Sequence, residues 1–321
     1  MAKKILYLVV PCYNEEEILN YSANILKEKL KSLIEKELIS NKSKILFIDD
    51  GSTDKTWEII VSLNKESKII TGIKLSRNQG HQNALLAGLK ISNEIADITI
   101  SIDADLQDDI NAIDEMIEAA DAGYDIVFGV RRNRKKDSFF KKTTAELFYK
   151  LMNFLGAKTI FNHADFRLMN KKAMNALEKF QETNLFLRGI ISNLGFKTCC
   201  VYYNRDIRKA GKSKYPLNKM ISFAINGITS CSTKLLHLIF LTGTIFLFLG
   251  LITGSCVVLK ILKKVPLNLT IIISSIWAIG GLILISLGII GEYIGKIYIE
   301  TKKRPRYIIS KNLIDEEKNK D

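Results

Sequence analysis

Near the middle of the chain an apolar run, Ile98-Thr99-Ile100-Ser101-Ile102, leads straight into a cluster of side-chain oxygens, Asp103-Ala104-Asp105-Leu106-Gln107-Asp108-Asp109. Alternation along a strand places residues i and i+2 on one side. Asp103, Asp105 and Gln107 are therefore predicted to converge at the strand's carboxyl end if the extended conformation persists. Three oxygen donors there suit Mg2+ or Mn2+ shared with a substrate's phosphates, because such hard cations complete their shells with water and phosphate oxygens. The plainer reading is an acidic turn capping the next helix, since Asp is a common cap residue. The surroundings of the cluster decide between the two.

Strands and helices alternate on either side of it. The pattern predicts strands at Ile5 to Val10, Lys44 to Asp49, Ile69 to Leu75, Ile98 to Ile102 and Asp125 to Phe128, with helices such as Ile18 to Leu38 and Asn111 to Ala120 between them. Such alternation implies an α/β fold, a mostly parallel sheet covered by helices on both faces. Ligands of such sheets sit beyond the carboxyl ends of the strands. Three of these strands end in polar groups: Pro11-Cys12-Tyr13-Asn14-Glu15, Asp49-Asp50-Gly51-Ser52-Thr53-Asp54, and Asp103 to Asp109. The chain has no internal repeat, and its charged end, Asp315 to Asp321, is expected to be disordered.

Composition divides the molecule. Of 321 residues 47% are hydrophobic, enough for a substantial core, but Leu235 to Leu259 and Val265 to Gly291 carry no charge at all. Each is long enough for a membrane span, which needs about 20 residues. The connector Lys260 to Pro266 is short, so the two predict a helical hairpin; a buried hairpin in a soluble domain is the alternative. Lys212, Lys214, Lys219 and Lys234 before the pair, with Lys296, Lys302, Lys303, Arg304 and Arg306 after it, outweigh the connector's Lys260, Lys263 and Lys264. That balance places both termini in the cytoplasm. A net charge of +13 and a pI near 9.3 point to an anionic membrane surface and anionic substrates. No nucleic-acid module accompanies the charge, and no nucleic-acid partner is expected. Lys3-Lys4 and the apolar Ile5 to Val10 mimic a signal sequence, but Glu15-Glu16-Glu17 follows at once and no cleavage site appears. Five cysteines without C-x-x-C spacing fit reduced cytosolic thiols and give no support for zinc.

The ordered segments carry a resemblance. Val9-Val10-Pro11-Cys12-Tyr13-Asn14-Glu15-Glu16, Ile48-Asp49-Asp50-Gly51-Ser52-Thr53-Asp54-Lys55-Thr56, Arg77-Asn78-Gln79-Gly80-His81-Gln82-Asn83-Ala84 and Asp103 to Gln107 resemble the motifs of the family 2 inverting glycosyltransferases. That family has the GT-A fold, a Rossmann-like, mostly parallel sheet. Asp165-Phe-Arg-Leu-Met169, Phe186-Leu-Arg-Gly189 and Arg208 to Tyr215 are similar to the polyisoprenyl-phosphate glycosyltransferases, the group of dolichyl-phosphate mannose synthase and the bactoprenol glucosyltransferases. The two-span tail with Gly291 to Gly295 and Arg304 to Tyr307 is similar to the bactoprenol branch. The expected organisation is a GT-A catalytic domain at 1–214, a juxtamembrane amphipathic segment at 215–234, transmembrane helices at 235–259 and 265–291, and a cytoplasmic tail at 292–321.

The first two strand ends place Tyr13, Glu15 and Asp49 where a nucleotide's base and ribose would bind, and ordinary turn and cap chemistry is the competing explanation of each. The resemblance implies the same contacts and adds Pro11 and Asp103 to the nucleotide-sugar site. Departure of a nucleoside diphosphate builds negative charge, which a cation on Asp105 and Gln107 would stabilise; Asp103 shares the metal or binds ribose. Arg131, in the run Arg131-Arg132-Asn133-Arg134-Lys135-Lys136, and Arg208, Ser213 and Lys214 near the membrane suit a lipid phosphate, for which arginine's fork is fitted. A solvated or lipid-attracted basic face is the alternative for the lysines. Met220, Ile221, Phe223, Ile225 and Ile228 within Tyr215 to Lys234 suggest a helix lying in the membrane surface or packed on the catalytic domain.

Asp165 is a catalytic candidate of a particular kind. A phosphate monoester has a second pKa of about 6 and scarcely needs a base, so Asp165 is expected to orient sugar or acceptor with Arg167. A structural Asp165 paired with Arg167 or His163 competes with that role. Gly211-Lys212-Ser213 lacks the rest of a P-loop, and neither Trp57 nor Trp277 belongs to the Q-x-x-R-W of a processive synthase. The expected activity is metal-dependent transfer of one sugar, glucose from UDP-glucose first among the donors, to undecaprenyl phosphate at the cytoplasmic face of the plasma membrane. Galactose, an N-acetylhexosamine, a modified arabinose or GDP-mannose are the other donors, and a non-enzymatic membrane scaffold is the remote alternative. Partners are the donor, the lipid phosphate, the bilayer and a second copy met through the transmembrane helices.

Overall fold

The computed structural model describes residues 3–132, 163–183, 186–204, 233–262 and 269–318. Arg208, Ser213, Lys214, the amphipathic stretch up to residue 232 and the connector lysines Lys263 and Lys264 lie outside the described residues. In chain order the elements are β1 (Leu6–Cys12), α1 (Leu19–Glu35), β2 (Lys44–Asp49), α2 (Thr56–Glu66), β3 (Ile70–Leu75), α3 (His81–Ile95), β4 (Ile98–Ser101), α4 (Ala112–Asp121), β5 (Ile126–Arg131), β6 (His163–Asn170), α5 (Lys171–Leu177), α6 (Leu187–Asn193), β7 (Thr198–Tyr203), α7 (Lys234–Leu262), α8 (Leu269–Thr301), β8 (Ile309–Asn312) and α9 (Leu313–Lys318).

One sheet of order β7-β5-β6-β4-β1-β2-β3-β8 runs through the molecule. The central pairings β4·β1, β1·β2 and β2·β3 are parallel, as is β5·β7, while β6 is antiparallel to both of its neighbours and β8 antiparallel to β3. All five expected strands are present, their ends shifted by at most a few residues. The mostly parallel α/β sheet agrees with the GT-A resemblance.

Helices cover both faces, which is why the strands read as unbroken apolar runs. Every residue of β1 is buried. On one face Leu26 of α1, Trp57 of α2 and Met116 of α4 pack with Leu8, Phe47 and Ile100. On the other, Leu85 of α3, Met174 of α5 and Ile191 of α6 pack with Val9, Ile48 and Phe128. In α1 the buried residues Leu19, Ala23, Leu26, Leu30 and Leu33 recur at helical spacing and form one stripe. Burying each such leucine is worth about 1.5–3 kcal/mol.

Three expectations need correction. β4 ends at Ser101, not Ile102; Leu106 takes a left-handed φ of 46°, and its N–H closes a turn onto the Asp103 carbonyl at 3.3 Å. The alternation invoked for Asp103, Asp105 and Gln107 therefore does not operate, because the acids lie on a turn. Second, α9 takes in Asp315 to Lys318, the first residues of the end expected to be disordered; just before them β8 adds to the sheet edge, and Leu313 and Ile314 are buried. These two apolar residues anchor the tail in the core. Third, α8 runs on past Gly291 to Thr301. Among the described residues, Ile279–Thr301 is the helical stretch long and apolar enough to cross a membrane; Leu236–Gly250 of α7 is apolar but shorter.

Candidate active site

The ends of the parallel strands form one half of the site. Asn14, at a left-handed φ of 51°, accepts the Thr53 N–H at 2.9 Å, and its own N–H donates to Ser52 Oγ at 2.9 Å. Asp54 accepts the Glu16 N–H at 3.2 Å, and Glu15 N–H donates to Thr56 Oγ1 at 2.9 Å. The loops after β1 and β2 are thus laced together. Asp49 is fully buried; its Oδ1 accepts the Ser52 N–H at 2.9 Å and its Oδ2 lies 3.4 Å from Lys74 Nζ. Asp50 accepts the Gln79 and Gly80 N–H groups at 2.7 and 2.9 Å and so fixes the start of α3. Gly51 lets these loops approach: at φ 66°, a Cβ there would sit 2.4 Å from the Arg77 carbonyl carbon. Of the expected nucleotide contacts, Pro11 is buried, Glu15 half-buried and Tyr13 exposed.

The second half is built from side chains. His81, the first residue of α3, places Nε2 3.1 Å from Asp103 Oδ1 and Nδ1 3.8 Å from Asp165 Oδ2. Asp165, on β6, receives Arg167 Nη2 at 2.6 Å and Arg188 Nη2 and Nε at 2.9 and 3.1 Å. Alternation puts Asp165 and Arg167 on the same side of β6. Antiparallel pairing sets Arg167 beside Ser101, whose hydroxyl donates to the Asp165 carbonyl. Arg188 arrives on α6, whose first N–H, that of Leu187, donates to Gln82 Oε1 of α3 at 3.0 Å.

These contacts set the charges. Burial raises the Asp165 carboxyl, but Arg188 and Arg167 outweigh it and hold it well below the ordinary carboxylate range. Asp103 is likewise lowered, its burial overcome by the His81 hydrogen bond, and His81 is raised because Asp103 overcomes its own burial. Asp103, Asp105 and Gln107 each carry hard oxygen donors on the turn after β4, at the sheet's carboxyl edge, and the Asp103 carboxylate is held ionised. That donor chemistry fits Mg2+ or Mn2+. No group of three or more His, Cys, Asp or Glu is arranged around a metal position among the described residues.

A third cluster lies beside these. Asp108, almost wholly buried, accepts on its Oδ1 from Arg131 Nε at 3.2 Å, Arg131 Nη2 at 3.0 Å and the Tyr203 hydroxyl at 2.7 Å. Arg131 ends β5 in register with Tyr203 of β7. Burial pushes the Asp108 carboxyl up, against the pull of Arg131.

The structure thus brings Asp103 and Asp165 together through His81, and places Arg131 at the same end of the sheet. Asp165 does pair with Arg167. His163 lies on β6, with its side chain outside what is described. Sequence reasoning gave no role to Asp50, Asp108, Arg188 and Tyr203; Asp50, Asp108 and Arg188, like His81, lie inside quoted segments, whereas Tyr203 has no local signal.

The family model described as Glycosyl transferase family 2 matches residues 7–177. Over 317 residues the chain is 50% identical to an uncharacterized glycosyltransferase, YkoT, of Bacillus subtilis (strain 168), covering 98% of this chain and 94% of that one. It is 39% identical to a prophage bactoprenol glucosyl transferase homolog of Escherichia coli (strain K12), covering 95% and 98% of the two chains. With the bactoprenol glucosyl transferase of Shigella phage SfX it shares 38% identity over 94% and 97%.

Proposed function

Because the chain belongs to glycosyl transferase family 2 and is a glycosyltransferase, we propose that it transfers one sugar, glucose from UDP-glucose, to undecaprenyl phosphate at the cytoplasmic membrane face. The observation that carries this reading is similarity of 38–39% along nearly the whole length of chains named bactoprenol glucosyl transferase, extending beyond the catalytic sheet through the apolar helices. Similarity confined to the sheet would speak for the chemistry alone.

In this reading the first two strand ends, with Pro11, Tyr13, Glu15 and Asp49, receive the nucleoside, and Asp103 the ribose or metal. Asp103, Asp105 and Gln107 would hold Mg2+ or Mn2+, which when bound stabilises the negative charge of the departing diphosphate. Arg131, with Arg208, Ser213 and Lys214, grips the lipid phosphate. One phosphate oxygen forms the new bond to the anomeric carbon as the bond to the diphosphate oxygen breaks, so the configuration inverts. No proton need leave the dianionic acceptor. Asp165, held ionised by two arginines, is a weak base and serves to orient Arg188 and His81 beside the reacting centre.

The tail supports a two-span hairpin. β8 follows α8 in sequence yet pairs with β3 in the catalytic sheet, so the chain returns to the side it left. The end of α8 is tied there too, Thr183 N–H donating to Glu300 at 2.7 Å and Arg306 to the Phe180 carbonyl at 2.6 Å. In this reading the chain between β7 and β8 crosses the bilayer an even number of times. If α8 spans, α7 spans with it, the catalytic domain is cytoplasmic, and the exposed apolar surfaces of both helices face lipid or a second copy. An introduced cysteine near Lys263 should be labelled from outside the cell and one at residues 40–44 should not; the reverse pattern removes this topology.

The deciding experiment incubates purified protein, undecaprenyl phosphate and Mg2+ or Mn2+ with a panel of radiolabelled nucleotide sugars. Label should enter lipid from UDP-glucose ahead of the galactose, N-acetylhexosamine, arabinose and GDP-mannose donors. Transfer from another donor corrects the sugar; no transfer to lipid from any donor ends the proposal.

A further inference from the structure

Asp108 is nearly without solvent contact, its side chain 1% exposed against 25% for Arg131. A single oxygen, Oδ1, collects both nitrogens of one edge of the arginine fork and the Tyr203 hydroxyl. Tyr203 is itself seated: its ring meets Phe166 edge-on, centroids 5.4 Å apart at 81°. A Cβ on Gly129 would stand 3.0 Å from its Cε1 and 2.8 Å from the Phe166 carbonyl oxygen, so the absent side chain makes room for the phenol. Burial and the neighbouring carboxylate push the phenol's pKa up, so it remains a donor.

An arginine has many rotamers, and freezing them on binding costs affinity unless the fork is already oriented. With its Nε–Nη2 edge held, the opposite edge of the guanidinium is presented in one direction. We infer that Asp108 and Tyr203 are positioning residues that aim Arg131 at the phosphate of the acceptor. This rests on the reading of Arg131 as an acceptor-phosphate ligand. Asp108 follows Gln107 directly, so the loop proposed to serve the donor's metal also holds the acceptor's arginine.

A merely structural ion pair would change stability or both substrates together, so the test separates them. In the full-length enzyme with undecaprenyl phosphate and labelled donor, Tyr203→Phe deletes one hydroxyl and keeps the ring packing. It should raise the KM for lipid phosphate about three- to tenfold, the worth of one such hydrogen bond, with the donor KM unchanged. In an Arg131→Ala background the same substitution should add nothing. Asp108→Asn, the second variant, should show the same split between substrates and the same dependence on Arg131. If Arg131→Ala raises the lipid KM but Tyr203→Phe and Asp108→Asn do not, or raise it equally with and without Arg131, the positioning role is wrong and the acceptor reading stands. If Arg131→Ala leaves the lipid KM unchanged, the acceptor reading falls and the inference with it.

Discussion

The two halves of this site use the same residue type for opposite purposes. At the ends of β1 and β2, Asp49, Asp50 and Asp54 spend carboxylate oxygens on main-chain N–H groups of Ser52, Gln79, Gly80 and Glu16. At the ends of β4, β5, β6 and β7, Asp103, Asp165 and Asp108 instead face side chains: an imidazole, three guanidinium groups and a phenol. The first arrangement shapes loops; the second places charge. A carboxylate bound to the backbone fixes a surface into which a ligand fits. One bound to arginines fixes cations that an anionic substrate can meet.

The sharpest break in this contrast is Asp105→Asn, on the turn between the halves. It keeps the side chain's shape while removing a hard anionic donor. Transfer should fall by more than about a hundredfold, several kcal/mol of transition-state stabilisation, and metal-dependent donor binding should weaken. A loss no larger than that of a backbone-capping residue would mean the turn only shapes a loop.

Next in size is stability on the charged side. Arg167 is fully buried, and its Nε and Nη1 find no partner among the described residues. Its charge is offset by Asp165. Asp165→Asn strips that compensation and should cost about 3–5 kcal/mol in urea unfolding. On the other side Asp50→Asn keeps one backbone acceptor and turns an amide N–H toward another N–H. About 1–3 kcal/mol is expected there, with the lipid KM untouched. Equal costs for the two substitutions, or a lipid effect from Asp50, would erase the distinction between the halves.

Their legibility in the sequence differs for the same reason. Residues of the parallel half sit within a few positions of strands that announce themselves as apolar runs, so Tyr13, Glu15 and Asp49 were found at strand ends. Period and spacing could not distinguish Asp49 from Asp50, and the structure gives each a backbone-capping role. The charged half is assembled across distance. β6 inserts antiparallel between β4 and β5 after a long interval of chain, and β7 lies on the far side of β5. Nothing local to Asp108 signals Tyr203, 95 positions away, just as nothing near Asp165 signals His81 on α3. At the tail, the charged composition of Asp315 to Asp321 hides the helix that takes in Asp315 to Lys318, whereas the two residues that anchor this helix, Leu313 and Ile314, lie just before.

The smallest expected effect is no effect, and it bears on what Asp165 does. Its carboxyl is held well below the ordinary range: burial opposes ionisation, but Arg188 and Arg167 win. A carboxyl depressed in the folded state contributes stability that is present above the unfolded value of about 3.9 and lost as pH falls through the folded one. From pH 5 to 8 Asp165 therefore stays ionised, and no titration in that window belongs to it. A base so weakened accepts a proton poorly, whereas the acceptor phosphate loses its own second proton near pH 6. The residual activity of Asp165→Asn, measured with saturating metal and donor, in one lipid environment and where chemistry limits the rate, should then keep a rise near pH 6. If that rise vanishes while donor and lipid still bind, Asp165 is a general base. The arginines around it would then be tuning a proton acceptor rather than holding a fixed charge.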